Sequence, residues 1–429
     1  MKIFSGCIAL VLALAMNWTR AGAVTMADLF AALKEHPVTE LDALQTRSSE
    51  LNRQAVHDRF YPQINGVLSY EEYNSPTNWR PVLPTESAQL LARDEPLPFS
   101  ETISRAGVTL SFPVFVKELF SLGKQAEMLA RSARAKKRLK LLENQAMLLS
   151  ADARLLHLAS LEKSLEARKA SLEKTRQDVI LQVDNGRIPE TERIRMDEAI
   201  NQIKLSFNET IVQELVLKKT IESLTSIHLD EPVPLQLNGG IREGELFALE
   251  PVREAVKAKE LGVQVARDKL YPRIVGTARW FHNYGEGYNT GEDVDDEYGS
   301  FALTLQIPLF NKPAYTEVEK AKIAMRREKA QLARTAVELE AKARSLHGTL
   351  SLLESSRKLA AKSVDHERRL LEVAKIAYAS RRMSQEEYLR YEEKILSAEA
   401  KYYLVEARWW EVFGSLAVLY GNSLEHLVK

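Results

Sequence analysis

The chain has 429 residues, and one cysteine, Cys7, is all it contains. That excludes a disulfide framework and a thiolate metal centre. Neither charge is in excess, with 59 basic and 59 acidic residues. A nucleic-acid binder needs a strongly basic face, which such a balance argues against. Charged residues make up 28% of the chain, and the repeated apolar runs of about 20 residues of a polytopic helical membrane protein are missing. Glycine (18) and proline (15) are scarce, against collagen-like or low-complexity structure. Catalytic signatures are missing too. The histidines His36, His57, His157, His228, His282, His347, His366 and His426 show no ligand spacing, and there is no nucleophile elbow or phosphate-binding glycine loop. No catalytic residue, resident metal or cofactor is expected.

What is present begins with residues 1–23, which read as a secretory signal. Lys2 gives the positive start, Ile3 to Met16 the apolar stretch, and Ala21-Gly22-Ala23 the small-residue cleavage site. The stretch is too short for a spanning helix. Cleavage after Ala23 removes Lys2 and Arg20 and no acidic residue. A lipid-anchored cysteine should follow the apolar run. Here the run follows Cys7, so no lipid anchor is expected.

Internal repetition organises the remainder. Arg59-Phe60-Tyr61-Pro62-Gln63-Ile64 recurs as Lys269-Leu270-Tyr271-Pro272-Arg273-Ile274, an offset of 210. Thr109-Leu110-Ser111-Phe112-Pro113-Val114-Phe115 recurs as Thr304-Leu305-Gln306-Ile307-Pro308-Leu309-Phe310, an offset of 195. The difference falls between the two blocks, where a loop tolerates insertion. The expected organisation is a first repeat at 24–227, a Pro- and Gly-rich linker at 228–245, and a second repeat at 246–429. Each repeat reads helix, strand, loop, strand, very long helix, turn, long helix.

Ala106, Val108, Leu110 and Phe112 alternate with small or polar residues, as do Phe301, Leu303, Leu305 and Ile307. Looser alternation marks Ile64, Gly66, Leu68 and Tyr70, and Ile274, Gly276, Ala278 and Trp280. Period two means one apolar and one polar face. Strands of about ten residues have the length that crosses a bilayer in a tilted barrel. A small sheet packed on helices is the alternative that alternation alone leaves open. Four strands cannot close a membrane barrel, which needs about eight, and lipid does not tolerate open sheet edges. Membrane strands here therefore require several chains in one barrel, and three would supply twelve strands.

Between Glu118 and Val183, and again between Tyr315 and Ser380, proline is absent and each stretch has one glycine, Gly123 and Gly348. Helices of roughly 65 residues reach on the order of 100 Å. Leu332, Ala336, Leu339, Ala343, Leu346, Leu350 and Leu353 step by four and three, a coiled-coil seam. Leu142, Ala146, Leu149, Ala153 and Leu156 repeat the steps in the first half. The first turn is Asp184-Asn185-Gly186-Arg187-Ile188-Pro189. Gly186 suits a left-handed cap and Pro189 the first turn of the next helix. In the second turn, Ser380-Arg381-Arg382-Met383-Ser384, Ser384 and Glu387 form a capping-box pair.

These features together resemble the TolC-like outer-membrane efflux proteins. The resemblance covers nearly all of the chain after residue 23. It rests on the duplicated element order, Tyr-Pro before each first strand, Phe-Pro-Val-Phe and Ile-Pro-Leu-Phe at each second strand, and the two hairpin tips. It implies a mainly α fold with a small membrane β-barrel: long duplicated helical hairpins forming a periplasmic tunnel, and four strands per chain in a twelve-stranded barrel of a homotrimer. It implies an outer-membrane location extending into the periplasm, and passive export. The implied partners are a periplasmic adaptor (membrane fusion) protein, an inner-membrane efflux pump or type I secretion transporter, and outer-membrane lipid. The family's tip pattern puts an acidic residue after a glycine turn, near the channel entrance. That register falls on Gly186 and Glu192, and on Arg381 and Glu387. A further acidic position of the family is Arg390 here, placed to neutralise Glu387 or Glu386. Arg381 replaces the second glycine. Val116-Lys117-Glu118 and Asn311-Lys312-Pro313 stand where the family often has glycines.

The expected entrance residues are thus Glu192, Glu386, Glu387 and Arg390. The adaptor-docking tips are Asn185, Gly186, Arg187, Ile188 and Pro189, with Arg381, Arg382, Met383 and Ser384. A ring of like charges in a narrow low-dielectric pore focuses its field. The alternative is that Glu387 only caps a helix and Glu192 only lies on a solvated face. Glu286, Glu292, Asp293, Asp295, Asp296 and Glu297 read as an outward loop, solvated or cation-binding. Trp79 and the stretch Pro76 to Pro98 read as a longer loop. Trp280, Phe281, Tyr284 and Tyr298 read as an interfacial girdle at strand ends, or as core. Trp409 and Trp410 include at least one packing residue. The rival to an exit duct is a soluble periplasmic coiled-coil adaptor or scaffold, which normally has one hairpin rather than two.

Overall fold

The computed structural model describes residues 24–429. The segment read as a signal, with Cys7, lies outside the described residues. In chain order the elements are α1 (Met26–Glu35), α2 (Pro37–Asp58), β1 (Gln63–Asn78), α3 (Pro84–Ala92), β2 (Phe99–Val116), α4 (Lys117–Asp184) and α5 (Glu190–Thr225). Then come α6 (Glu250–Asp268), β3 (Arg273–Glu286), β4 (Asp293–Gln306), α7 (Lys312–Ala379) and α8 (Gln385–Tyr420), with short 3-10 turns at Phe247–Leu249 and Leu424–His426. The repetition holds to the residue. Helices α4 and α7 each have 68 residues, and α5 and α8 each have 36. Each pair is 195 positions apart, from Lys117 to Lys312 and from Glu190 to Gln385.

The chain forms two compact units. One comprises residues 24–44, Lys136–Ala248 and Ala336–Lys429; the other comprises Gln45–Ala135 and Leu249–Thr335. Each unit draws on both halves of the sequence.

The first unit is helical. Its core combines Met26, Leu29 and Phe30 of α1, Leu148, Leu149 and Leu155 of α4, and Trp409, Trp410 and Phe413 of α8. Both tryptophans are packing residues. Leu229 and Val233 of the linker join this core, as do Leu424, Leu427 and Val428. The linker is held by backbone bonds to the chain end: Gln236 and Lys429 exchange N–H to C=O bonds at 2.9 Å each, and Asn238 N–H reaches Leu427 C=O at 2.8 Å. The expected seam of α7 is real: Ala343 is buried and its other six members are half-buried. In α4 the seam is only part of the buried surface, because Leu148, Leu155 and Leu158 are buried beside it. The extra surface is needed where α1, α8 and the linker all share that core.

The second unit carries a four-stranded antiparallel sheet in the order β1-β2-β3-β4. The strands run 14 to 18 residues, longer than the expected ten. They continue beyond their alternating segments into polar residues that no hydrophobic pattern marks. Ile307 falls just past β4. The acidic stretch is corrected accordingly. Glu286 ends β3, and Asp293, Asp295, Asp296 and Glu297 lie within β4; only Glu292 is in the turn. Neighbouring side chains make that tolerable: His282 Nε2 lies 3.0 Å from Asp295 and its Nδ1 3.5 Å from Glu297, and Arg80 pairs with Asp296. The Pro76 to Pro98 stretch is not all loop either, since Pro76 is in β1 and α3 stands within it. Trp79 there is buried, its N–H on Pro98 C=O at 3.1 Å. Trp280, Phe281 and Tyr298 sit mid-strand rather than at strand ends.

Below the sheet, Asp268 at the end of α6 is buried. It accepts from Ser121 Oγ and lies 3.6 Å from Lys117 Nζ. Lys117 also sits 3.2 Å over the Tyr271 ring. Residues at the first turns of α4 thereby meet those that lead into β3.

Candidate functional site

The register resolves the sheet into two chemically distinct faces. Side chains of directly paired residues share a face, and the face changes at every step along a strand. One face carries the rows Phe112–Gly276–Leu303, Ile64–Leu110–Ala278–Phe301, Gly66–Val108–Trp280–Gly299 and Leu68–Ala106–His282–Glu297, ending at Tyr70–Ser104–Tyr284–Asp295. It is apolar until the last two rows, yet much of it is bare: Leu68 is 86% and Phe301 64% exposed. The other face carries Gln63–Ser111–Thr277–Ala302, Asn65–Thr109–Arg279–Ser300, Val67–Gly107–Phe281–Tyr298 and Ser69–Arg105–Asn283–Asp296. An exposed, contiguous apolar sheet face is unusual in a monomer and needs a cover. From Ile274 to Trp280 the apolar rows climb six steps of about 3.4 Å, roughly 16 Å at a tilt of about 40°, and the two polar rows through Tyr284 bring the strand to roughly 26 Å, against the roughly 25 Å apolar band of a membrane barrel. Among the described residues, strands β1 and β4 have no partner on their outer edges. Among the described residues no helix is long and apolar enough to cross a membrane, which says nothing of a barrel.

The two hairpin tips share one backbone design. At the first, Arg187 N–H reaches Gln182 C=O at 2.8 Å and Gly186 N–H reaches Val183 C=O at 2.9 Å. At the second, Arg382 N–H reaches Ala377 C=O at 2.8 Å and Arg381 N–H reaches Tyr378 C=O at 2.9 Å. Both are Schellman caps, which require a left-handed residue. Gly186 takes φ +66° as expected, and Arg381 takes φ +55° at the equivalent position. The arginine thus occupies the glycine conformation without glycine's freedom, at a cost of about 1–2 kcal/mol.

Beyond the turn itself the two tips diverge. Pro189 is the N-cap of α5, one place earlier than expected, and offers no side-chain bond. Ser384 caps α8 through the expected box: Glu387 N–H donates to Ser384 Oγ at 3.2 Å and Ser384 N–H to Glu387 Oε2 at 3.0 Å. The expected entrance acids are largely compensated. Glu192 pairs with Arg195 at 2.7 Å. Arg390 pairs with Glu386, not Glu387. Glu387 spends its carboxylate on the cap. Arg195, and the pair Arg193–Glu190, went unnoticed in the sequence, although the i,i+3 spacing of acid and base was there to see. Tyr378 and Tyr388 stack at 5.0 Å beside the second tip. The structure thus gathers Asn185, Gly186, Arg187, Ile188 and Pro189 in one turn, and Arg381, Arg382, Met383 and Ser384 in the other. Among the described residues no group of three His, Cys, Asp or Glu could hold a metal ion.

No protein-family model and no curated protein matches the chain. Solved structures do. The CmeC outer membrane channel of Campylobacter jejuni aligns over 96% of this chain and 91% of its own, with 15% identity and a TM-score of 0.69. The outer membrane protein VceC of Vibrio cholerae covers 93% and 96%, with 13% identity and a TM-score of 0.69. The MtrE outer membrane channel of Neisseria gonorrhoeae, in its open state, covers 94% and 90%, with 14% identity and a TM-score of 0.67.

Proposed function

We propose that this chain, whose fold is that of the TolC-like outer-membrane channels, assembles as a homotrimer and serves as a passive exit duct. Three sheets would join edge to edge into a twelve-stranded barrel in the outer membrane, and the helical hairpins would continue it as a periplasmic tunnel. The carrying observation is the sheet: strands of spanning length with a bare apolar face, a polar face behind it, and two edges unpaired among the described residues. Lipid accepts the apolar face but not the edges, so other copies must pair β1 with β4. The polar face then lines the lumen.

In this reading the duct performs no chemistry, and energy comes from a partner. The turns 185–189 and 381–384 dock a periplasmic adaptor, which links the duct to an inner-membrane efflux pump or type I secretion transporter. Glu192, Glu386, Glu387 and Arg390 lie at the entrance, and of these acids Glu387 has no ion pair among the described residues. Residues 1–23 direct export and are removed, without a lipid anchor.

The test is the native mass of the protein extracted by detergent from fractionated outer membrane. A trimer, crosslinked through cysteines placed on β1 and β4, supports the shared barrel. A soluble monomer would instead favour the periplasmic scaffold and abolish the entrance assignment.

A further inference from the structure

The polar face of the sheet holds, well inside β3, an arginine that no acid balances among the described residues. Arg279 is exposed in the row Asn65–Thr109–Arg279–Ser300, and among the described residues it has no ion-pair partner. Elsewhere on that face Arg105 lies 3.4 Å from Glu71 and Asp296 pairs with Arg80, while Arg273, hydrogen-bonded to the neutral Gln306, keeps its charge at the first residue of β3, about 20 Å along the strand from Arg279. Asp296 stands opposite Asn283, four residues along β3 from Arg279. That is about 13 Å away, beyond the Debye length of about 10 Å at 0.1 M salt. In the other direction the rows Ser111–Thr277–Ala302 and Pro113–Val275–Thr304 are uncharged.

The position matters as much as the charge. Ala278 and Trp280, the chain neighbours of Arg279, belong to the apolar face, in the rows of Phe301 and Val108. Arg279 therefore lies at the height of the apolar band. In the next row the Phe281 ring lies against Gly107, and Arg279 itself is exposed. An ionisable group at membrane depth is costly and marks a solute path. Low-dielectric walls around it strengthen its field.

We propose that Arg279 sets the charge preference of the duct, which rests on the trimeric-duct reading. Three copies form a positive ring inside the barrel, favouring anionic solutes over cationic ones. Of the acids at the hairpin tips, Glu192 and Glu386 are ion-paired and Glu387 is engaged in its helix cap. The barrel of this chain then carries a selectivity element of its own, separate from Glu387 at the tunnel entrance.

A thiol reporter tests this without requiring the tunnel entrance to be open. Ser300, directly opposite Arg279, is changed to cysteine in a Cys7→Ser background, leaving one thiol. Rates of reaction with small anionic and cationic methanethiosulfonates are compared on the purified trimer and on intact cells. The anionic reagent is expected to react faster, and the preference to weaken in 1 M salt, where the Debye length is about 3 Å. Adding Arg279→Gln should remove the preference, and Arg279→Lys should retain it. Each kT of potential lost changes the anion-to-cation ratio about sevenfold. A reactive Ser300→Cys thiol with the same preference in the presence of Arg279→Gln overturns the role of Arg279 and leaves the duct standing. A thiol that neither reagent reaches overturns the lumenal face, and the duct reading with it.

Discussion

Replacing Asp152 by asparagine should stabilise the protein above neutral pH and hardly at all in acid. Asp152 lies on α4 and is fully buried. Its Oδ1 accepts the Val233 N–H at 2.9 Å, tying the linker to the helical core, while Oδ2 has no partner. Burial pushes its pKa from 3.8 up to about 7, against the smaller downward pull of the Val233 bond. The folded state therefore holds a proton that the unfolded state releases near pH 4. Stability falls as pH rises from about 4 to about 7 and is flat beyond. About three units at 1.36 kcal/mol each give a penalty of about 4 kcal/mol above pH 7. Asparagine is neutral throughout and keeps the acceptor for Val233. Its new amide N–H lacks a partner, at about 1–3 kcal/mol. The net gain at pH 8 is about 1–3 kcal/mol, with none or a small loss at pH 4.5. Apparent Tm of detergent-solubilised wild type and Asp152→Asn, scanned at one rate from pH 4.5 to 8.5, reads this directly. A Tm difference that does not change with pH would refute the assignment of the buried charge.

Three further outcomes are expected. Arg381→Gly should relieve the left-handed strain and stabilise the second tip by about 1 kcal/mol, while Gly186→Ala should cost the first about 1–2 kcal/mol; local hydrogen exchange at 376–384 and 181–189 measures both. Glu387→Gln keeps a side-chain acceptor for the capping box but removes the charge. Cation permeability of the reconstituted duct should fall without loss of helix protection, and an unchanged permeability would leave Glu387 as a cap only. Leu303→Lys, on the apolar face, should cost about 2–4 kcal/mol of barrel stability, whereas Thr277→Lys on the polar face should cost little; urea titration in detergent distinguishes them, and equal losses would mean the faces are assigned wrongly.

The long helices and both tips were legible because their signals are local. A 68-residue helix announces itself by lacking proline, and a Schellman turn by Gly186. Even Arg381 was placed correctly, since the 195-residue offset carries the glycine register across to it. What local signals missed was compensation across strands. Asp293, Asp295, Asp296 and Glu297 look like a loop, because acidic residues are poor strand formers. Only the folded sheet brings His282 and Arg80 beside three of them. The same holds for Asp152. It comes after the seam position Leu149 and precedes Ala153, and nothing in the spacing says that the linker supplies its one hydrogen bond.

Duplication also explains why one chain carries two kinds of tip. The backbone is held constant: equal helix lengths, equal cap bonds, and left-handed residues at Gly186 and Arg381. The chemistry is not. The first tip has glycine, a proline N-cap without a side-chain bond, and the pair Glu192–Arg195. The second has two arginines, a capping box, and the pair Glu386–Arg390. A trimer of such chains presents six turns of similar shape in two alternating charge patterns. An adaptor that grips both must satisfy one shape and two electrostatic surfaces. Exchanging 185–189 for 380–384 should then spare assembly, because the backbone is shared, and impair docking, because the charge is not. Adaptor pull-down on trimers carrying the exchange measures that separation, and undiminished capture would show that docking reads shape alone.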